Sequence, residues 1–331
     1  MIVRAGSPRP KTLDELLSPA LLRTLDRLDL ASRKVFAGRM AGERRSKQRG
    51  RSVEFADYRE YTPGDDIRFI DWNVYARLER LFVKLHLEEQ DLAVHVAVDA
   101  SSSMDAGGGG KQPTKLVFAQ RLAMALGYVG LVNHNRLSMS AWGRGPTRWM
   151  GECRGKRNVQ RLAKFVLEEV GTEGDGSAQT FNEAMRGITK MRRGAGVTIV
   201  ISDFLIPGEG YSEGLRYLSA GLGREAGGGR THDVFCLQTL SAGEIDPMAE
   251  GGEGERGMAG DVRLVDVESG AGVEVTVSAE VVKRYRARVE RYIEDLSGAC
   301  FSRGMTHVLC PTNTEIDRVV TDLLRRRGLL G

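Results

Sequence analysis

From Leu92 onward the chain alternates short apolar runs with longer segments of helical periodicity, and no other feature restricts its fold as much. The strand candidates are Leu92 to Val98, Arg136 to Trp142, Thr147 to Met150, Val197 to Ser202, Asp233 to Leu240 and Thr306 to Cys310. The helix candidates are Lys115 to Val132, Val159 to Val170, Phe181 to Arg192, Ser212 to Leu222, Val281 to Ser302 and Glu315 to Arg326. Strands that alternate with helices predict an α/β domain whose mostly parallel sheet is covered on both faces. The gap between Arg136 to Trp142 and Thr147 to Met150 is short, which predicts a hairpin and one antiparallel strand. The sheet is therefore expected to be mixed.

Two of these strands end in carboxylates. Asp99-Ala100-Ser101-Ser102-Ser103-Met104 follows the first run directly. Extended chain points residues i, i+2 and i+4 to one side, so Asp99, Ser101 and Ser103 can aim a carboxylate and two hydroxyls at one point. Oxygen-only donors of this kind suit Mg2+, which prefers near-octahedral oxygen ligation and keeps positions open for water or a bound group. Serines after a strand also cap helices or satisfy loop amides, which is the plainer explanation. A second carboxylate lowers its weight: Val197 to Ile201 leads into Ser202-Asp203-Phe204, and ligands gather at the carboxyl ends of strands in open parallel sheets.

On these residues the chain resembles a von Willebrand factor type A domain. The metal ion-dependent adhesion site of that family joins an Asp-x-Ser-x-Ser loop, a threonine from a second loop and an aspartate from a third. The resemblance implies that Asp99, Ser101 and Ser103 ligate Mg2+ or Mn2+, with a water-mediated role for Asp203. The second loop departs from the pattern, because Gln179 stands at the threonine position; Thr180 is the natural substitute and Ser177 a weaker one.

A longer resemblance lies upstream. Arg49 to Phe55, Asp57-Tyr58-Arg59-Glu60-Tyr61-Thr62-Pro63-Gly64-Asp65-Asp66-Ile67-Arg68-Phe69-Ile70-Asp71-Trp72 and Ala76-Arg77 are similar to the signature of a bacterial family catalogued as domain of unknown function 58. Members carry a type A-like domain after this block, and many are encoded beside AAA ATPases of the MoxR kind. The family brings no catalytic residues. It implies a non-enzymatic interaction module whose ion takes a Glu or Asp from a protein partner: a MoxR-kind ATPase, its client, or another type A protein.

The remaining sequence is less directive. Residues 1–90 are expected to hold a helical segment, a connector and the signature block, and residues 91–331 the sheet domain with an insertion at 241–279. Thr12 to Phe36 has leucines at helical spacing interrupted by Ser18-Pro19, which predicts one kinked helix or two short ones packed on the main body. Arg33 to Arg51 carries eight Lys or Arg against one acid, Glu43, and reads as a basic connector. In the block Glu54 to Arg77, charges of alternating sign between aromatic residues predict a hairpin whose charges pair. Asp261 to Glu268 and Gly272 to Val277 predict an inserted β-hairpin, preceded by a glycine-rich loop at Gly251 to Gly260.

Several function classes lack their chemistry. Gly252-Glu253-Gly254-Glu255-Arg256-Gly257 follows no strand, and Gln112 stands where a phosphate loop beginning at Gly107 would need Ser or Thr. Ser102 has no histidine base. The four cysteines are unpaired by spacing, and Cys236 and Cys310 sit in apolar runs. His86, His95, His134, His232 and His307 are scattered. No apolar stretch is expected to span a bilayer and Met1 to Pro10 lacks a signal-peptide core, so a cytoplasmic location is expected. Two alternatives stay open. One is a nucleic-acid-associated protein using Arg33 to Arg51 and Arg325-Arg326-Arg327, although a net charge of +4 is modest. The other is a metal-dependent hydrolase with Asp105 as base.

Overall fold

Where the sequence stacks apolar residues at consecutive positions, the chain forms strands buried on both faces. The computed structural model describes residues 8–30, 54–63, 67, 70–87, 92–108, 112–191, 196–206, 210–220, 232–248, 260–265 and 272–331. The basic connector and the Gly252 to Gly257 motif lie outside these. In chain order the elements are α1 (Leu13–Leu16), α2 (Pro19–Leu25), β1 (Glu54–Glu60), α3 (Trp72–Leu78), β2 (Phe82–Leu87), β3 (Ala93–Asp99), α4 (Lys115–Val132), β4 (Arg136–Trp142), β5 (Arg148–Cys153), α5 (Val159–Lys164), α6 (Phe181–Met191), β6 (Gly196–Ser202), α7 (Ser212–Ala220), β7 (His232–Leu240), α8 (Ala242–Ile245), β8 (Gly260–Val265), β9 (Gly272–Val277), α9 (Ala279–Ser302), β10 (Thr306–Pro311) and α10 (Ile316–Arg318). They fall into two compact units, one of residues 1–38 and 92–331, the other of residues 39–91.

The larger unit is built on a six-stranded sheet of order β10-β7-β6-β3-β4-β5. All neighbours run parallel except β4 and β5, which form the antiparallel hairpin expected from their short connection. Alternation along each central strand feeds two separate cores. Val94, Val96, Val98, Val197, Ile199, Ile201, Phe235 and Leu237 pack with α4 and the N-terminal leucines. Ala97, Val200, Val234 and Cys236 pack with α6, α7 and the end of α9. This is the type A-like architecture, a mixed, mostly parallel sheet between two helical layers. After β3 the chain builds β4 and β5 on one side, then crosses to place β6 on the other. The order therefore reverses between β3 and β6, and the crevice beyond such a reversal is where open α/β sheets bind ligands.

The N-terminal segment resolves into the two short helices allowed by Ser18-Pro19. Ser18 Oγ accepts the Leu21 amide at 3.2 Å, with Pro19 in the first helical position. Leu16, Leu17, Leu21, Leu25, Leu28 and Leu30 join the first core. The helices expected at 159–170 and 315–326 begin as α5 and α10 and continue as π-helical turns over Phe165–Glu169 and Val319–Leu324. The Gln120 amide satisfies two carbonyls at the first of these, Val166 at 2.9 Å and Val170 at 3.1 Å. The inserted hairpin is present as β8 and β9, paired antiparallel. α4 corrects one expectation: by length and composition it is a helix that could cross a bilayer, with mean hydropathy 1.3. Here it is the core helix, enclosed between the sheet and the N-terminal and α5 helices, with sixteen buried residues.

The smaller unit corrects another. Its antiparallel strands are β1 and β2, with Tyr58 opposite Lys84, so the second strand lies beyond the block Glu54 to Arg77. The expected return strand is instead the helix α3, because Asp71 caps it: Asp71 Oδ1 accepts the amides of Asn73 at 2.9 Å and Val74 at 3.3 Å. Asp71 Oδ2 accepts the Tyr58 hydroxyl at 2.9 Å. Trp72, placed in that helix, is 62% exposed.

Candidate functional site

The first loop is assembled by its own backbone together with groups from the neighbouring strand and turn. As β3 ends, the Ser101 amide donates to Asp99 Oδ1 at 2.9 Å, which folds the carboxylate back over the turn. From the neighbouring strand, Ser202 Oγ donates to Asp99 Oδ2 at 2.6 Å and accepts the Phe204 amide at 2.9 Å. A 3-10 turn over Ser102–Asp105 then brings the hydroxyls of Ser101 and Ser103 to 3.0 Å from each other. Two residues of the β4–β5 turn buttress it. Gly143 has φ +102, and a Cβ there would lie 2.5 Å from the Ser101 nitrogen. Arg144, whose side chain is 8% exposed, donates to the Ala100 carbonyl at 2.5 Å and to the carboxylates of Glu173 and Asp105.

The third loop is held as firmly but by different means. Asp203 Oδ1 accepts the Leu205 amide at 3.0 Å, and Oδ2 accepts Lys115 Nζ at 2.7 Å. Its carbonyl accepts the Gln238 amide at 3.0 Å, and Gln238 Oε1 accepts His307 Nε2 at 3.1 Å. Phe204 takes a left-handed φ of 55°, and its carbonyl accepts the Tyr292 hydroxyl. Lys115 is fully buried and also donates to Glu244 Oε1 at 2.5 Å. Burial opposes its charge, but Asp203 and Glu244 together hold the ammonium above the ordinary lysine value. Asp99 has no cation of its own among these bonds. Burial, then the charge of Asp203, pushes it up to about 6.

The second loop is spent on structure. Thr180 caps α6 in a capping box: its hydroxyl donates to Glu183 Oε2 at 3.0 Å, its amide donates to the same oxygen at 2.9 Å, and the Glu183 amide returns to Thr180 Oγ1 at 3.3 Å. These bonds, led by the Thr180 amide, hold Glu183 below the usual carboxylate range. Gln179 Oε1 turns to Thr147, accepting its amide at 3.2 Å and its hydroxyl.

A cleft of about 660 Å3 opens over the three loops, and its walls include all five residues expected to hold a metal: Asp99, Ser101, Ser103, Thr180 and Asp203. Ser177 is not among the lining residues. Glu183 and Glu213 also line the cleft, and among the described residues of its wall none is Lys or Arg. The donor set fits a hard cation in one respect that geometry tests. Adjacent ligands of an octahedral Mg2+ at about 2.1 Å sit about 3.0 Å apart, the separation of the two serine hydroxyls. Thr180 keeps a lone pair beyond its capping bonds. Asp203 has both oxygens engaged.

Sequence reasoning missed Lys115, Glu244, Ser202 and Gly143. The signal for Lys115 was local: it occupies the first position of α4, where the helix dipole disfavours a cation. Asp105, considered as a hydrolytic base, is instead paired with Arg9 at 3.3 Å and with Arg144.

The chain is 26% identical over 287 residues to the uncharacterized protein Rv1480 of Mycobacterium tuberculosis, covering 83% of this chain and 82% of that one. Among solved structures it is similar to the conserved hypothetical protein BatB from Bacteroides thetaiotaomicron, at 16% identity and TM-score 0.40, covering 71% of this chain and 98% of that one. It is also similar to the SpRpn10 VWA domain, at 9% identity and TM-score 0.35, covering 71% and 94%. The family described as Protein of unknown function DUF58 matches residues 57–294, and the chain belongs to that family.

Proposed function

We propose that the Asp99 cleft is a divalent-cation-dependent docking site and that the chain acts as a protein-interaction module rather than an enzyme. Asp99, Ser101 and Ser103 would hold Mg2+ or Mn2+ directly, Thr180 would add an oxygen from the start of α6, and Asp203 would act through water. When bound, the ion supplies a Lewis-acidic anchor for an oxygen donor, and a Glu or Asp of the partner is the donor a hard cation favours. The observation that carries this reading is the pair of hydroxyls 3.0 Å apart beside a carboxylate that is 5% exposed. By family resemblance the partner is a MoxR-kind AAA ATPase or its client. The four buried cysteines, free of disulfides, support a reducing compartment such as the cytoplasm.

The alternatives draw less support. A wall lined by carboxylates repels a phosphate backbone, and Asp105, the base weighed for hydrolysis, is engaged by Arg9 and Arg144. Calorimetric titration with Mn2+ tests the site: weak binding to the wild type and none to Asp99→Ala is the expected outcome. Equal heats for the two proteins would overturn it. Chelator should then release a captured partner, and capture that survives chelation would separate the metal from the docking.

A further inference from the structure

Asp203 is the one predicted metal-site residue with a buried cation against it. Lys115 cannot withdraw from it to solvent, because its side chain is 0% exposed and its ammonium lies between two carboxylates. The second of these is itself fixed. Glu244 gives Oε1 to Lys115, while its Oε2 accepts the amide and hydroxyl of Ser241 at 2.8 and 3.0 Å in the capping box of α8. Lys115 is thus shared between a cleft residue and a rigid residue behind it. An ion drawing on Asp203 Oδ2, directly or through water, shares that oxygen with the lysine, which weakens it as a donor. The two positive charges also repel across a buried space where screening is weak.

We propose that Lys115 is an affinity-setting residue of the cleft: an internal cation that competes with the bound divalent ion for Asp203, with Glu244 fixing the strength of that competition. The proposal rests on the reading of the Asp99 cleft as a cation site. On this reading an otherwise suitable oxygen set would hold its ion weakly, so that a partner's carboxylate would be needed to retain it. A lysine serving only the core would leave ion binding indifferent to its replacement.

The test is titration of the full chain with Mn2+, followed by calorimetry and by electron paramagnetic resonance of the free ion. The proteins are the wild type, Asp99→Ala, Glu244→Gln, and Lys115→Met combined with Glu244→Gln. The double variant removes one positive and one negative charge, so the net charge near the cleft is kept while Asp203 is released. It should bind Mn2+ at least about tenfold more tightly than wild type, and adding Asp99→Ala should abolish the gain. Glu244→Gln alone leaves Lys115 leaning on Asp203, and binding should weaken by about threefold or more. If the double variant does not fold, Glu244→Gln decides the matter: unchanged or tighter binding overturns the proposal. Asp99-dependent binding that is the same in all Lys115 and Glu244 variants overturns it while leaving the cation site standing. If no protein shows Mn2+ binding that Asp99→Ala removes, the cation reading falls and takes this proposal with it.

Discussion

The first and second loops of the cleft were both expected to supply metal-ligating hydroxyls, and they are built on opposite principles. Around Asp99 the neighbouring groups work for the carboxylate: the Ser101 amide and the Ser202 hydroxyl turn it, and the hydroxyls of Ser101 and Ser103 face each other. Around Thr180 the hydroxyl works for the backbone, closing the first turn of α6 with Glu183. A preorganised donor set loses little entropy when it takes an ion, whereas a capping hydroxyl must serve two tasks at once. The contrast teaches that a matching residue type at a matching position does not establish what the residue is for; its hydrogen bonds do.

The harshest way to break the comparison is at Gly143. A side chain there meets the Ser101 nitrogen at 2.5 Å and a positive φ besides. Gly143→Val should abolish Mn2+ binding and destabilise the fold by about 1–3 kcal/mol or more, as overpacking does. Titration and thermal melts check both, and retained binding would mean that the first loop is not preorganised by this contact.

The third loop is tested by acid. Burial, with Arg327 adding to it, lowers His307 to about 4, and this ring braces Asp203 through Gln238. The folded state thus binds fewer protons than the unfolded one between about pH 6.5 and 4. The stability contribution is complete above pH 6.5 and is lost as the pH falls through about 4, a change of about 3 kcal/mol. Denaturant melts across that range should show His307→Gln losing less stability than wild type. Parallel curves for the two would show that the acid response comes from elsewhere.

The smallest effect sharpens the contrast most. Thr180→Val should lower stability by about 1 kcal/mol through loss of the cap, and weaken Mn2+ binding only about threefold. Loss of binding as complete as in Asp99→Ala would make the two loops equals and end the distinction.

The sheet was legible in the sequence because its strands are local apolar runs, and Arg136–Trp142 and Lys115–Val132 fall where periodicity put them. Asp99, Ser101 and Ser103 were legible for the same reason, as a local alternation after a strand. Lys115 and Glu244 meet across 129 residues of chain, so no window of sequence contains their relation. The strand β2 escaped notice because α3 separates it from its partner. Thr180 and Glu183 did carry a local signal, the spacing of a capping box, which points to a helix start rather than to a ligand.

The long helix α9 has a mechanical consequence. It leaves the inserted hairpin after a single residue, Ser278, and over its first fourteen residues it bonds to α8, to the residue that follows α8 and to the turn after β6. Tyr285 donates to the Glu244 carbonyl at 2.8 Å, Arg286 grips Asp246 at 2.6 Å, and Tyr292 donates to the Phe204 carbonyl. From Ala279 to Tyr292 the rod is about 20 Å long at 1.5 Å per residue. Helix of that length transmits a push along its axis with little bending, so load applied at the hairpin arrives together at the turn that carries Asp203 and at the helix that carries Glu244.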